Sequence, residues 1–146
     1  MTSVDREALR QTLIRHEREV LHAYQDSLGF WTIGCGHLID QRKGGGISPA
    51  IARAILDADI NACLDDLTGC EWFFHLDGVR QRALIDMRFQ LGWAGLLTFE
   101  RLLDAVKRRD WVQAKAEVLH SAYATQTPGR AQENADMLAT GTDGPA

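Results

Sequence analysis

The chain is poor in cysteine and proline and has no long apolar run, and each shortage narrows what the protein can be. Only three of its 146 residues are cysteine and three are proline. An odd number of cysteines without a Cys-x-x-Cys pair provides neither a regular disulfide framework nor the usual zinc-ligand spacing. We therefore expect reduced thiols, synthesis in a cytosol and no bound metal, with a bridge between Cys63 and Cys70 as the open alternative.

Membrane segments and export signals are also missing. No stretch approaches the roughly 18 apolar residues of a membrane-spanning helix. The first residues, MTSVDREALRQTLIRHERE, are charged throughout and lack the apolar centre of a secretory signal. We expect a protein that carries no leader and does not insert into a membrane.

The chain has no strong excess of charge of one sign. It carries 16 basic and 20 acidic side chains, a net charge of −4. This argues against non-specific nucleic-acid binding, which needs a basic surface. The charge is unevenly spread, because residues 44–79 hold one basic and six acidic side chains, whereas residues 80–133 hold nine basic and six acidic. The C-terminal third is therefore locally basic.

The composition is that of an ordinary globular domain, with 45% hydrophobic and 25% charged residues. An N-terminal helical pattern ends near Glu17. Two aromatic and β-branched segments follow, 23–26 and 30–33, and a turn at Ser27-Leu28-Gly29 separates them, which predicts a short β-hairpin. Gly34, Gly36 and the run 44–46 then indicate irregular backbone.

The rest of the chain is predicted to be helical. Ser48-Pro49 is a helix start, with serine as the cap and proline at the first position, and that helix should reach about Leu67. A dense helical pattern runs from Asp77 to Gly141. Within it, Gly92 should end one helix, and further helices should start at the caps Thr98, Asp110 and Thr127.

These elements predict an α+β fold that is mainly α, within a single domain. Residues 18–47 form a small N-terminal β lobe, and residues 48–68 form a linking helix. Residues 1–17 and 77–141 form a helical lobe, and residues 142–146 form a tail. A cleft between two such lobes is a natural ligand site.

Two carboxylates stand out by position, Glu17 where the first helix ends and Asp26 in the hairpin. Glycoside hydrolysis needs such a pair, one acid to protonate the leaving oxygen and one carboxylate to activate water or attack carbon. The hydroxyl of Thr32, six residues after Asp26, is suited to holding the attacking water. Spacing alone leaves open that both are ordinary surface carboxylates, because the chain has 20 acidic residues.

Three blocks of sequence carry a resemblance to a known family. The first is Glu17, eight residues, Asp26, five residues, then Thr-Ile-Gly-Cys-Gly-His ending at His37. It closely resembles the active-site segment of the phage-type lysozymes, glycoside hydrolase family 24. The block RALIDMRFQLG at 82–92 resembles that family's central buried helix, and QTPGRA at 126–131 resembles its C-terminal segment. Their order and spacing match over residues 7–142.

The resemblance implies a muramidase that cuts the β-1,4 bond between N-acetylmuramic acid and N-acetylglucosamine in peptidoglycan. Glu17 would be the general acid, Asp26 the carboxylate that activates water and Thr32 the residue that helps to hold it, in an inverting reaction. Arg130 matches the family arginine that orients the catalytic glutamate. No cofactor is implied.

The resemblance also places sugar-contacting residues and marks departures from the family. Leu38, Phe89 and Gln90 match substrate-binding positions, although core packing is the alternative for Leu38 and Phe89. The segment after His37 is shorter than in the family. Two further cleft positions carry unusual residues, Leu102 and Glu117.

The biological role that follows is a phage endolysin that lyses the host cell. It would be a monomer in the host cytoplasm and would depend on a holin to reach the wall. Three alternatives remain: a virion-associated lysozyme, a lytic transglycosylase on the same scaffold, and a glycan-binding module without catalysis. The last two are disfavoured by the presence of Asp26 with Thr32 and of Glu17 with Arg130.

Overall fold

The computed structural model describes residues 5–39 and 46–143. It confirms an α+β fold that is mainly α. The positions Gly44 and Gly45 of the predicted glycine run, and the last three residues of the predicted tail, lie outside the described residues. The chain divides into two compact units, Met1–Ala54 and Ile55–Ala146. The grouping of residues 1–17 with the C-terminal helices stays a prediction.

The first unit contains one helix and a three-stranded sheet. Helix α1 spans Arg6–Glu17, and the Asp5 carboxylate caps it by accepting the backbone N–H groups of the first turn. The strands β1 (Val20–Gln25), β2 (Trp31–Gly34) and β3 (His37–Leu38) form an antiparallel sheet in that order. The predicted hairpin is confirmed, whereas β3 was not predicted because two residues are too short to show a pattern.

Helix α2 spans Pro49–Thr68 and starts where the serine–proline signal indicates. The Ser48 hydroxyl accepts the backbone N–H of Ile51 at 3.3 Å. Near its end α2 buries Cys63 and Leu67, and a short 3₁₀ helix follows at Glu71–His75. All three cysteines are free thiols, as expected.

Helix α3 spans Gly78–Leu97 and is interrupted at Gly92, whose φ of 76° and ψ of 165° are not helical. The predicted stop at Gly92 is therefore confirmed as a break, after which a short helical segment continues. Helix α4 spans Glu100–Lys107. The prediction that Thr98 caps α4 is wrong, because its hydroxyl donates back to the Gly95 carbonyl at 2.6 Å and closes α3.

Three helices complete the chain: α5 (Trp111–Leu119), α6 (Ala122–Gln126) and α7 (Pro128–Thr140). The Asp110 carboxylate caps α5, as predicted, by accepting the backbone N–H of Gln113. α6 was not predicted and begins at a separate cap, Ser121. α7 ends at Gly141, whose φ of 67° is the left-handed conformation predicted for a terminal glycine.

The hydrophobic core of the second unit is built from the end of α2 through α7. Its fully buried members with the largest side chains are Leu67, Leu84, Met87, Leu96, Leu102, Val106, Val118 and Leu138. This core packs together the helices that carry Phe89, Gln90 and Arg130. Among the helices in the described ranges, none is long and apolar enough to cross a membrane.

Candidate active site

Glu17 is the last residue of α1, and the chain changes direction immediately after it. Arg18 adopts φ 62° and ψ 153°, which is rare for a residue with a side chain, while its N–H still bonds the Ile14 carbonyl. Backbone held in such a conformation costs about 1–3 kcal/mol and is concentrated at functional sites. The turn sets the Glu17 carboxylate at the junction of α1 and β1, where its side chain is exposed.

The Glu17 carboxylate lies against Gly36, in the turn between β2 and β3. A Cβ atom at position 36 would lie 2.7 Å from Glu17 Oε2 and 3.0 Å from its Cδ, inside van der Waals contact. Gly36 also has φ 67°, which favours glycine. The backbone conformation therefore favours glycine at position 36, and a larger residue there would also push the Glu17 carboxylate aside.

We expect Gly36→Ala to lower peptidoglycan-lysing activity by about 10- to 100-fold, because the new methyl group displaces the Glu17 carboxylate. Gly34→Ala is a matched control, since Gly34 has the same φ of 67° and nothing lies within 4 Å of its Cβ position. Both variants should lose about 1–2 kcal/mol of stability from backbone strain. The measurement is the lysis rate of each variant beside its thermal unfolding. Equal activity losses in the two variants would contradict this account.

Asp26 follows β1 and is fixed by the hairpin turn. Its Oδ1 accepts the backbone N–H groups of Leu28 and Phe30, each at 2.9 Å. Its own N–H bonds the Phe30 carbonyl at 2.9 Å. An aspartate that bonds its own turn in this way is held in one orientation. Both bonds use Oδ1, and within the described ranges no hydrogen bond engages Oδ2.

Thr32 lies on β2 and is 4% exposed. It pairs with Tyr24 on one side and Leu38 on the other, so these three side chains share one face of the sheet. Its hydroxyl donates to the Phe30 carbonyl at 3.2 Å and can still accept a hydrogen bond. Since Phe30 also donates to Asp26, its backbone links the two predicted catalytic residues.

The predicted sugar-contacting residues differ in their exposure. Leu38 is 45% exposed and Phe89 is 40% exposed, so neither is a core residue. Gln90 is partly buried, and its Nε2 donates to Thr127 Oγ1 at 3.1 Å. Its Oε1 is buried and has no hydrogen-bond partner among the residues that the structure describes. Because an unsatisfied buried carbonyl is costly, this oxygen is suited to accept a bond from a ligand.

Arg130, on α7, belongs to a polar cluster with Asp86 on α3. Its Nε donates to Asp86 Oδ2 at 2.8 Å and its Nη2 to Asp86 Oδ1 at 2.7 Å, a bidentate pair. Asn134 donates its amide to Asp86 Oδ2 at 2.6 Å and to the Tyr123 hydroxyl at 2.9 Å. Sequence reasoning missed Asp86, Asn134 and Tyr123.

The hydrogen bonds of this cluster keep it charged. The bond from Arg130 lowers the pKa of Asp86, and the bond from Asn134 adds to that effect. The same ion pair raises the pKa of Arg130. Burial raises the pKa of the Tyr123 hydroxyl, which therefore stays protonated at neutral pH.

The cluster forms part of the wall of a cavity of about 590 Å³ in the second unit. Apolar side chains make most of the remaining wall, contributed by Leu56, Ile60, Ile85, Phe89 and Met137. Apolar walls with a few placed polar groups are typical of ligand sites. In the described ranges, no three His, Cys, Asp or Glu side chains group as they would around a metal ion.

Glu117 and Leu102, the two unusual residues, line a second cavity of about 380 Å³. Leu102 is 1% exposed, and its side chain packs in the hydrophobic core. Glu117 accepts a hydrogen bond from Gln113 at 2.6 Å. Glu100 and Arg101 line the same cavity, so Glu117 is one of several charged groups in its wall.

The predicted site residues fall into two groups. The first unit carries Glu17, Asp26, Thr32 and Leu38 on α1, the hairpin turn and the sheet. The second unit carries Phe89, Gln90 and Arg130. Sequence reasoning missed the backbone hydrogen bonds of Phe30 and the close approach of Gly36 to the Glu17 carboxylate. The only signal for the latter was the Gly-Cys-Gly pattern itself.

Comparisons with known proteins indicate the family to which the chain is similar. The family model described as Phage lysozyme matches residues 15–133, which include Glu17, Asp26, Thr32 and Arg130. Two relatives from Dictyostelium discoideum are named "Probable T4-type lysozyme 1" and "Probable T4-type lysozyme 2". They are 26% and 28% identical to this chain, and each alignment covers 92% of it and 95% of the relative.

A third relative is the "Pre-baseplate central spike protein Gp5" of Enterobacteria phage T4. It is 27% identical over 92% of this chain, which matches 28% of that longer protein. The family match spans most of the chain, and the two-carboxylate segment lies within it. The chain therefore belongs to the phage lysozyme family and is a glycoside hydrolase, a lysozyme that acts on peptidoglycan.

Proposed function

We propose that this lysozyme hydrolyses the β-1,4 bond between N-acetylmuramic acid and N-acetylglucosamine, with inversion at the anomeric carbon. Glu17 is the general acid, and Asp26 activates the attacking water. The observation that carries the proposal is the placement of the two carboxylates: Glu17 lies beside Gly36 at the end of α1, and Asp26 is fixed by two backbone N–H groups. A carboxylate that activates water must be held in one orientation to act on one bond.

Each step of the proposed reaction uses an atom whose neighbours are known. Glu17 donates its proton to the glycosidic oxygen as the bond to the muramic acid anomeric carbon breaks. Asp26 Oδ2 accepts a proton from water as the water oxygen bonds that carbon from the opposite face. The Thr32 hydroxyl oxygen accepts a hydrogen bond from the other O–H of the water, because its own hydrogen is already donated to the Phe30 carbonyl.

Other residues bind the glycan or orient the acid in this proposal. Arg130 is assigned the orienting role from its match to the family arginine. Leu38 and Phe89 offer exposed apolar surface to the sugar rings. Gln90 Oε1, a buried oxygen without a partner in the described part of the chain, accepts a hydrogen bond from a sugar hydroxyl. No cofactor takes part.

Mass spectrometry of muropeptides released from purified peptidoglycan tests the reaction. We expect fragments that end in a reducing muramic acid, because water is the proposed acceptor. Fragments that end in 1,6-anhydromuramic acid would show that the 6-hydroxyl had replaced water, as in a lytic transglycosylase. Reducing ends on glucosamine would place the cut at the other glycosidic bond and overturn the proposal.

The cellular role proposed is that of a monomeric endolysin. It accumulates in the cytoplasm of a phage host, lyses the cell and depends on a holin for passage through the membrane. Expression in Escherichia coli tests this delivery. The cells should stay intact until chloroform permeabilises the inner membrane, and lysis without chloroform would contradict it.

A virion-associated role is the second candidate, favoured by the similarity to a T4 protein named as a baseplate spike protein. It shares the chemistry proposed above and differs in delivery. Detection of this chain in purified, washed phage particles would favour this role. Its absence from such particles would favour the free endolysin.

A further inference from the structure

We propose that Thr127 is a positioning residue for glycan binding, and that it holds the Gln90 amide with Oε1 as the hydrogen-bond acceptor that meets the sugar. The inference rests on the proposed function, in which Gln90 binds a sugar hydroxyl. It adds a residue to which that function gives no role. Both residues belong to the second unit, with Gln90 on α3 and Thr127 immediately before α7.

Thr127 occupies the N-cap position of α7, where the sequence predicts a cap, but its side chain does not act as one. Within the described part of the chain, its hydroxyl makes no hydrogen bond to the first turn of α7. A threonine at this position usually accepts a backbone N–H of that turn. The Thr127 hydroxyl instead bonds the Tyr123 carbonyl and the Gln90 amide. Its partners therefore indicate a task other than capping.

The hydrogen bonds of Thr127 decide which end of the Gln90 amide it meets. The hydroxyl has one hydrogen, which it donates to the Tyr123 carbonyl at 3.2 Å. Its oxygen can then only accept, and Gln90 Nε2 donates to it at 3.1 Å. If the amide were reversed, the hydroxyl would have to leave the Tyr123 carbonyl in order to donate to Oε1. The observed orientation keeps both bonds, so Thr127 holds Nε2 on its own side.

The orientation of the amide determines what Gln90 can bind. Its Oε1 is buried and lacks a hydrogen-bond partner among the described residues. A carbonyl oxygen only accepts hydrogen bonds, so it selects a ligand group that donates, such as a sugar hydroxyl. A reversed amide would place N–H groups there, to which the hydrogen of a sugar hydroxyl cannot bond. Thr127 therefore sets the polarity of the sugar contact through Gln90.

Thr127→Val is the test variant, because valine has nearly the shape of threonine but lacks the hydroxyl. Gln90 Nε2 then loses its partner, and the amide is no longer held in one orientation. On soluble, uncross-linked glycan strands of peptidoglycan, we expect KM to rise about fivefold to tenfold with kcat almost unchanged. A parental KM in the folded Thr127→Val protein would overturn the proposal.

Thr127→Ser is the conservative variant, since serine keeps the hydroxyl. Its KM should stay within about twofold of the parental value. A KM as high as that of Thr127→Val would show that any change at this position disturbs binding, and would contradict the proposal.

Thr68→Val is the matched control on α2. The Thr68 hydroxyl likewise donates to a carbonyl four residues earlier, that of Leu64, and no other side chain in the described ranges bonds it. Both KM and kcat should be unchanged. A rise in KM equal to that of Thr127→Val would attribute the effect to the loss of such a backbone bond, and would contradict a role through Gln90.

Gln90→Met tests whether Thr127 acts through Gln90, because methionine keeps a side chain of similar length without the amide. Gln90→Met alone should raise KM at least as much as Thr127→Val does. In the Gln90→Met background, Thr127→Val should leave KM unchanged. An additive rise would show that Thr127 affects binding by another route and would overturn the proposal.

Thermal unfolding, measured beside the kinetics, separates positioning from stability. A merely structural role for Thr127 would lower Tm in Thr127→Val and leave KM at the parental value. If that variant does not fold, NMR of the parental protein provides the test. One Nε2 hydrogen of Gln90 should exchange slowly with water because it is bonded to Thr127, and rapid exchange of both hydrogens would overturn the proposal.

The outcomes distinguish this inference from the proposed function. A parental KM in Thr127→Val beside a raised KM in Gln90→Met would end this inference alone. A parental KM in Gln90→Met would remove the sugar contact of Gln90 from the proposed function and would overturn the inference with it. The reaction itself is tested separately, by the ends of the released muropeptides.

Discussion

Glu17→Gln is expected to lower the rate of peptidoglycan hydrolysis by at least about 10³-fold, because an amide cannot donate a proton to the leaving oxygen. Glutamine has nearly the same shape, so its side chain fits against Gly36 as the glutamate does. The fold should be unchanged. Lysis of chloroform-treated Gram-negative cells, measured beside circular dichroism of the same sample, checks both statements.

Glu19→Gln is the matched control for that variant. Glu19 is an exposed carboxylate two residues away, between α1 and β1, and has no proposed role. It should keep close to the parental rate. Parental activity in Glu17→Gln would show that the acid is another residue.

Asp26→Asn is expected to lower activity by about 10²- to 10⁴-fold, because the amide cannot take a proton from water. The asparagine Oδ1 can still accept the N–H groups of Leu28 and Phe30, so the turn should persist. The loss should appear in kcat, since the variant removes the water-activating base and leaves the sugar-binding residues in place. Steady-state kinetics on purified peptidoglycan, with thermal unfolding as the fold check, measure this.

Asp57→Asn serves as the control for Asp26→Asn, since Asp57 is an exposed carboxylate on α2 that has no assigned role. Its rate should be unchanged. Near-normal activity of Asp26→Asn would point to a mechanism with a single acid, in which the products carry an anhydro end. Mass spectrometry of the released muropeptides would then show those anhydro ends.

Features that depend on a few neighbouring residues could be predicted from the sequence. The starts of α2 and α5 follow from caps at Ser48 and Asp110, each of which bonds a backbone N–H three residues on. The break at Gly92 and the end at Gly141 follow from the left-handed conformations that glycine adopts readily. The candidate catalytic residues were assigned because this short segment resembles a known family, since their spacing alone left open that they are ordinary surface carboxylates.

Local signals failed where a side chain had two possible partners or an element was short. Thr98 is well placed by sequence to cap the next helix, yet its hydroxyl bonds the preceding one, because both partners are within reach. The 3₁₀ helix at Glu71–His75 and the five-residue α6 are too short to show a hydrophobic period. These misses do not alter the fold class.

Contacts between distant residues could not be predicted at all. The approach of Glu17 to Gly36 and the pair of Asp86 with Arg130 depend on how separate elements pack. In the sequence, Asp86 is one of 20 acidic residues and is distinguished by nothing but its place in a matched block. The sequence indicated which groups are the candidate catalytic ones, and the structure adds the contacts around them.

The central claim is that Glu17 and Asp26 act as an acid and a water-activating base in one inverting step. Proton NMR of the anomeric hydrogens during the first minutes of digestion tests it most directly, before the anomers of the product interconvert. The account predicts that the new muramic acid ends appear first as the α anomer, because water attacks opposite the leaving group. First appearance of the β anomer would contradict it and make Asp26 a nucleophile instead.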